Sequence, residues 1–235
     1  MIPLEELGFG VIIPAAGRSS RMHSPESKIF ASLGSGTVLG MTIRAFLDLD
    51  FIRRIVVAVR PEHVERVRSE IVPPTPSVPV EVIAGGARRQ DTVAAAFLRL
   101  GDCAYIIIHD GVRPLVTPAE VRRTAAAAVE YGAALPGVTP RATIKVCAAD
   151  GTITATPERA GLREAQTPQI FRSDIYRAGL AVVAGRGLEV TDDAQVAELA
   201  GAPVRVVEGS YRNIKITTPE DLALARILAG GEVVV

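Results

Sequence analysis

Short, continuous apolar runs recur along the chain, separated by longer stretches whose apolar residues return every three or four positions. The runs at 10–14, 55–59, 80–83, 105–108, 133–136 and 204–207 are too short for helices and mostly rich in Val and Ile, so they predict strands. They lack the apolar–polar alternation of a strand with one wet face, which predicts burial on both faces. Between them, residues 38–49, 62–71, 91–100, 118–131 and 173–184 carry helical periodicity. Strands alternating with helices predict an α/β fold around a mostly parallel sheet. Ligands of such sheets lie beyond the carboxyl ends of the strands.

Residues 139–157 interrupt the alternation. Two β-rich runs, Thr143-Ile144-Lys145-Val146-Cys147 and Thr152-Ile153-Thr154-Ala155-Thr156, flank Asp150-Gly151, a pair that favours a tight hairpin. An isolated two-stranded hairpin is marginal in water, so this arm needs a surface, either its own domain or a second subunit. Further on, Asn213-Ile214-Lys215-Ile216 reads as a short strand whose lysine requires solvent or an anion. Thr218 then supplies an N-cap and Pro219 the first residue of a helix.

Composition narrows the partners. Lys+Arg and Asp+Glu both total 26, so no net charge drives non-specific binding to nucleic acid or to an anionic membrane. Any phosphate recognition has to be local. No apolar stretch reaches transmembrane length, and residues 1–7 form neither a basic leader nor a long apolar segment, so a cytoplasmic location is expected. Cys103 and Cys147 form no paired motif and read as reduced thiols, while the histidines lack zinc-ligand spacing. A chain of 235 residues suits one α/β domain, here 1–235 with the arm at 139–157 inserted.

The candidate chemistry lies where strands end. Ile13-Pro14-Ala15-Ala16-Gly17-Arg18-Ser19-Ser20-Arg21 empties a buried strand into small residues and two arginines, with Lys28 beyond. Small side chains admit backbone N–H groups to a phosphate and cations neutralise it, although an ordinary strand-to-helix turn fits the same residues. Gly85-Gly86 and Thr92 offer close backbone approach and a hydroxyl for a base edge, or simply a turn. Asp110 follows the strand at 105–108 and stands where Mg²⁺ would take a carboxylate together with phosphate oxygens, or where a turn needs a cap. His109 reads as a structural hydrogen-bonding residue rather than a catalytic base, and in the cluster Thr191-Asp192-Asp193 helix capping explains Thr191 and Asp192 at least as well as ligand binding does.

Taken in order, these features resemble the 2-C-methyl-D-erythritol 4-phosphate cytidylyltransferase family of the non-mevalonate isoprenoid pathway. The resemblance runs from about residue 9 to about residue 228. Its carriers are Ala15-Ala16-Gly17, His109-Asp110-Gly111-Val112-Arg113-Pro114, Thr156-Pro157-Glu158-Arg159, Gln166-Thr167-Pro168-Gln169 and Asn213-Ile214-Lys215-Ile216-Thr217. It implies a Rossmann-like nucleotidyltransferase sheet, transfer of CMP from CTP to a polyol phosphate with release of pyrophosphate, Mg²⁺ or another divalent cation, and a homodimer joined through the arm. By the same resemblance Arg21, Lys28 and Lys215 are the catalytic cations. Ala15, Ala16, Gly17, Gly86, Thr92 and Gly111 surround the cytidine, and Asp110 faces the metal. Arg113, Thr143, Thr167 and Lys215 hold the second substrate's phosphate, with Arg159 entering from the partner subunit. The chain departs from the family pattern at Ser19, Ser27, Gly111-Val112 and Ala142.

The chemistry suits the residues. A phosphomonoester dianion is already a nucleophile, so the reaction asks for positioning and charge stabilisation, and a Ser/His/Asp set is not needed. The nearest rival is a ribitol 5-phosphate cytidylyltransferase of the same fold, toward which His109-Asp110-Gly111-Val112-Arg113-Pro114 leans, while Thr156-Pro157-Glu158-Arg159-Ala160-Gly161-Leu162 favours the erythritol enzyme. A nicotinamide-dependent oxidoreductase is opposed by the missing Gly-x-Gly-x-x-Gly and by Val59-Arg60-Pro61 where a ribose-binding acid would stand. A silent nucleotide-binding module is opposed by the retention of Lys28, Asp110 and Lys215.

Overall fold

Alternate residues of the central strand face opposite apolar layers in the computed structural model, which describes residues 3–17 and 27–230. A one-turn helix, α1 (Leu4–Leu7), precedes β1 (Phe9–Ala15). The small strands β2 (Ser32–Leu33) and β3 (Gly36–Thr37) lead into α2 (Val38–Leu47), β4 (Ile52–Val59), α3 (Val64–Arg66) and β5 (Val80–Ala84). Then follow α4 (Arg89–Phe97), β6 (Tyr105–Ile108), α5 (Pro118–Tyr131), β7 (Ala133–Val138), β8 (Val146–Cys147) and β9 (Ile153–Ala155). The remainder is β10 (Glu164–Ala165), β11 (Gln169–Arg172), α6 (Ser173–Arg186), α7 (Asp193–Leu199), β12 (Arg205–Glu208) and α8 (Pro219–Leu228).

The main sheet runs β10-β7-β11-β6-β1-β4-β5, with β12 added beside β7. Strands β6, β1, β4 and β5 are mutually parallel, and so are β7 and β12. Only β10 and β11 oppose their neighbours, so the sheet is mixed and largely parallel. The six strands predicted from the short apolar runs all lie in it. Val11 and Ile13 of β1 face one apolar layer, beneath α2, α5 and α8, while Ile12 faces the other, with α4, α6 and α7. Helix ends follow the sequence signals. Thr117 Oγ1 accepts from Glu120 N–H at 3.3 Å while Glu120 returns a bond to Thr117 N–H at 2.9 Å, and Thr218 caps α8 in the same reciprocal way with Asp221.

Several elements differ from the sequence reading. Strand β11 was not anticipated, because its only apolar pair is Ile170-Phe171; pairing on both sides, to β6 and β7, makes it a strand. Residues 213–216 do not form a strand. Ile216 N–H donates to Val112 O at 2.9 Å, and the buried Asn213 and Ile216 side chains anchor the segment without a ladder. Residues 62–71 are not one regular α-helix. The coil passes from 3₁₀ at Pro61–His63 through α3 to a wide π turn at Val67–Ile71, and the prolines that follow forbid continuation.

The hairpin forms where the turn chemistry placed it, with Asp150 Oδ1 accepting from Thr152 N–H at 2.9 Å. Its apolar residues Ile144, Val146 and Ile153 are exposed. Among the described residues no helix is long and apolar enough to cross a membrane.

Helices α6 and α7 touch at Gly179, where an added Cβ would lie 2.1 Å from Val196 O. Backbone cannot yield as a flexible side chain can. Gly179→Ala should therefore destabilise by about 1–3 kcal/mol, outweighing the roughly 1 kcal/mol that alanine gains in a helix. Urea unfolding measures this, and an unchanged or higher midpoint would show a looser crossing.

Candidate active site

The chain leaves β1 to build β4 and β5 on one side, then returns to place β6 on the other. Such a reversal opens a crevice at the carboxyl ends of the central strands. Here it is a cleft of about 550 Å³, walled by Ala15 at the end of β1, Ala16 and Gly17 beyond it, Gly86 after β5 and Asp110 after β6, with Lys28 and Lys215 also in its lining. A second hollow of about 630 Å³ lies along β7 and β12, but its charged lining is limited to Arg163 and Glu208. The cleft at the strand ends is the chemically equipped one.

Its floor depends on close approach. A Cβ on Gly85 would sit 2.5 Å from Ala16 Cβ, so a side chain there would push the β5 loop off the β1 loop. Thr92 is buried, accepts from Gly86 N–H at 3.0 Å and donates to Arg88 O at 3.0 Å. Its hydroxyl proton therefore shapes the loop instead of facing a base. Gly111 lies behind Ala15 and donates its N–H to Pro14 O at 3.2 Å.

Charge converges on Asp110. Its Oδ2 lies 3.0 Å from Lys215 Nζ and 3.3 Å from Arg113 Nε, and its Oδ1 lies 3.5 Å from Arg89 Nη2. Burial alone would raise the carboxyl pKa, but Lys215, Arg89 and Arg113 together hold it well below the usual carboxylate range. Arg113 is itself buried and donates to Asn213 O at 2.8 Å. Asn213 Nδ2 donates to Thr167 O at 2.8 Å, which fixes the segment that delivers Lys215. Thr167 Oγ1 accepts from Asp110 N–H at 3.1 Å.

The expected Mg²⁺ ligand at Asp110 meets a different geometry. Both of its carboxylate oxygens already face cations. Among the described residues no group of three His, Cys, Asp or Glu side chains could hold a metal ion. Without phosphate oxygens from a nucleotide, the described side chains alone do not make a donor set for a divalent ion. Asp110 is a counter-ion to three cations.

Other predicted residues lie apart. Thr143 and Arg159 are exposed on or beside the arm, and Arg159 donates to Arg141 O at 3.1 Å. Neither lines the cleft within this chain. Arg21, with Ser19, falls outside the described residues.

The sequence reading missed Arg89 and the function of Asp193. Arg89 Nη1 lies 2.6 Å from Asp193 Oδ2, and Tyr176 donates its hydroxyl to Asp193 Oδ1 at 2.8 Å. Burial opposes the charge on Arg89, but Asp193 and Asp110 outweigh it and raise its pKa. A signal existed. Arg88-Arg89 opens α4, where the helix dipole disfavours cations, so a pair of arginines there announces carboxylate partners.

The sequence profile of 2-C-methyl-D-erythritol 4-phosphate cytidylyltransferase (IspD) matches residues 9–230. The chain belongs to this family. Its members include the Clostridium perfringens cytidylyltransferase, 37% identical over 214 residues, covering 91% of this chain and 95% of that one. The Syntrophotalea carbinolica cytidylyltransferase is 42% identical over 219 residues, covering 92% and 94%. A bifunctional IspD/IspF enzyme of Desulforudis audaxviator is 42% identical over 221 residues, 94% of this chain but only 56% of that longer protein. Among solved structures, the Thermus thermophilus cytidylyltransferase superposes with a TM-score of 0.77 at 32% identity, covering 94% of this chain and 98% of the other. This IspD chain is thus a nucleotidyltransferase of the non-mevalonate isoprenoid pathway.

Within this IspD site, Arg89→Ala would leave Asp193 a buried carboxylate without its ion pair. The loss should be about 3 kcal/mol in denaturant unfolding, the scale for breaking a buried pair. Adding Asp193→Asn should recover part of it, because the uncompensated charge is then gone. A double variant no more stable than Arg89→Ala would remove the pair from the account.

Proposed function

We propose that the cleft transfers CMP from CTP to 2-C-methyl-D-erythritol 4-phosphate and releases pyrophosphate. One observation carries the reading: three cations held on a single buried carboxylate at the crevice between β1 and β6. The triphosphate lies over Ala15, Ala16 and Gly17 with Lys28 and Arg21 as its cations, and the cytidine lies toward Gly86. Lys215 and Arg113 receive the phosphate of the second substrate.

A phosphate oxygen of the polyol phosphate attacks the α-phosphorus of CTP. The new P–O bond forms as the bond to the β-phosphate oxygen breaks, and pyrophosphate leaves with that electron pair. No proton has to move, so the site supplies alignment and charge, Arg as a fork and Lys as a compact point charge. Because Asp110 is engaged by its three cations, the divalent cation typical of the family would enter with the nucleotide and would supply charge neutralisation of its phosphates.

The chain acts as one catalytic domain, 1–235, in the cytoplasm, and the arm at 139–157 engages a second copy. The exposed Ile144, Val146 and Ile153 support this, because an apolar hairpin needs cover. Thr143 and Arg159 then complete the partner's site, which accounts for their distance from the cleft of their own chain.

Pyrophosphate release from CTP tests the reaction, with erythritol and ribitol phosphates supplied in parallel. The erythritol substrate and CTP should be used well ahead of the ribitol phosphate and of ATP; equal turnover with ribitol phosphate would transfer the assignment to the rival. Lys28→Ala or Lys215→Ala should lower kcat by about 10²–10³-fold, the scale for one preorganised charge-stabilising donor.

Subunit mixing tests the shared site. Lys28→Ala and Arg159→Ala homodimers should each be crippled, whereas a heterodimer carries both lesions in one site and neither in the other. Random reassociation of equal amounts should restore about a quarter of wild-type activity. No recovery after demonstrated exchange would place both residues in the same subunit's site.

A further inference from the structure

We infer that His109 is a positioning residue that takes the single proton of the Thr167 hydroxyl, so that Thr167 secures the Asp110 main chain instead of donating to the second substrate's phosphate. The identity of that phosphate rests on the cytidylyl-transfer reading above; the hydrogen-bond directions rest on the geometry of this chain.

His109 is fully buried after β6, its ring packed edge-on to Phe46 with centroids 5.0 Å apart. Its Nε2 lies 3.0 Å from the carbonyl oxygen of Arg113. A carbonyl cannot donate, so Nε2 carries a proton. Its Nδ1 lies 3.0 Å from Thr167 Oγ1. The two ring nitrogens thus face the Arg113 carbonyl and the Thr167 hydroxyl, and the Thr167 carbonyl and the charges of Asp110 and Arg113 also act on the ring. Burial pushes the imidazole pKa down to about 4, which leaves the ring neutral and Nδ1 bare near neutral pH.

The direction of every bond follows. Thr167 donates its single hydroxyl proton to His109 Nδ1, and the same oxygen accepts from Asp110 N–H at 3.1 Å. A phosphate dianion offers acceptors alone, so Thr167 Oγ1 has nothing left to give it. The bonds close on the turn at 109–113, tying one end through Asp110 N–H and the other through Arg113 O. Asn213 extends the clamp, donating to Thr167 O and accepting from Arg113 Nη1, both at 2.8 Å. A buried neutral network therefore lies beneath Arg113 and Lys215, and these cations receive the phosphate.

Two measurements test this. His23→Gln/His63→Gln leaves His109 as the sole histidine, and ¹⁵N NMR of the labelled protein reads its tautomer directly. The neutral Nε2–H form should persist between about pH 5.5 and pH 8, with and without the polyol phosphate. An Nδ1–H tautomer, an imidazolium, or a change of form on adding the phosphate would overturn the inference. In steady-state kinetics, Thr167→Val should lower kcat by about 10–100-fold through misplacement while KM for the polyol phosphate stays within about twofold, and Thr167→Ser should restore most of kcat. A rise of about tenfold or more in that KM at unchanged kcat would make the hydroxyl a phosphate donor. The tautomer measurement needs no Thr167 variant, so it decides even where Thr167→Val fails to fold. Absent pyrophosphate release by the unmodified enzyme would sink the reaction instead, and would leave the tautomer result standing.

Discussion

A carboxylate removed from water must be surrounded by positive charge, and the site of this protein is organised by that requirement at Asp110. Lys215, Arg113 and Arg89 come from three different parts of the chain, and Asp110 is the carboxylate that all three share. Without it, like charges would repel and point outward to solvent. With it, they stay close in a partly desolvated cleft, where they act more strongly on an incoming polyanion than they would in water. Asp193 extends the scheme by compensating Arg89 from the α6–α7 layer. Three cations against two carboxylates leave a single net positive charge. The group is thus stable before substrates arrive and still attractive to them.

That arrangement depends in turn on how closely the strand ends approach. Gly85 against Ala16, and Gly111 behind Ala15, allow the loops after β5 and β6 to reach the loop after β1 without a Cβ between them. The fold supplies a crevice at the β1–β6 reversal, and the small residues decide how tightly the loops around it can pack. Segment 213–216 then adds Lys215 from the far end of the chain. Asn213 holds it by hydrogen bonds to Thr167 and Arg113, with Ile216 bonded to Val112 O.

Much of this was legible in the sequence, for a specific reason. A parallel strand buried on both faces writes itself as a nearly continuous apolar run, as β1, β4 and β6 do, and the half-exposed edge strand β5 still carries Val80, Val82 and Ile83, which together located the strand ends and hence the cleft. Strand β11 escaped because four residues with one apolar pair carry no period; neighbours on both sides define it. The segment at 213–216 looked like a strand because Ile214 and Ile216 flank a lysine, yet it is anchored by side chains. Ion pairing was less legible than position. Asp110 was recognised as chemically important but read as a metal ligand, since nothing in one dimension reveals that Arg89, Arg113 and Lys215 converge on it. Asp193 read as a helix-start acid, and its link to Arg89 is a contact between residues far apart in sequence.

The buried histidine completes the argument about what kind of catalyst this is. A histidine beside an essential carboxylate invites a reading as general base, but both nitrogens of His109 are engaged by Thr167 and the Arg113 carbonyl, and the ring is sealed from the cleft. The reaction gives it nothing to accept, because the attacking phosphate is already anionic. Its use is mechanical. It fixes the turn between Asp110 and Arg113, so that the geometry of the cations is set by neutral, directional bonds while their charge stays available to substrate. Separating those two tasks matters: hydrogen bonds that lie beneath the site need not break when a polyanion binds, and the field that the cations present does not have to be rebuilt at each turnover.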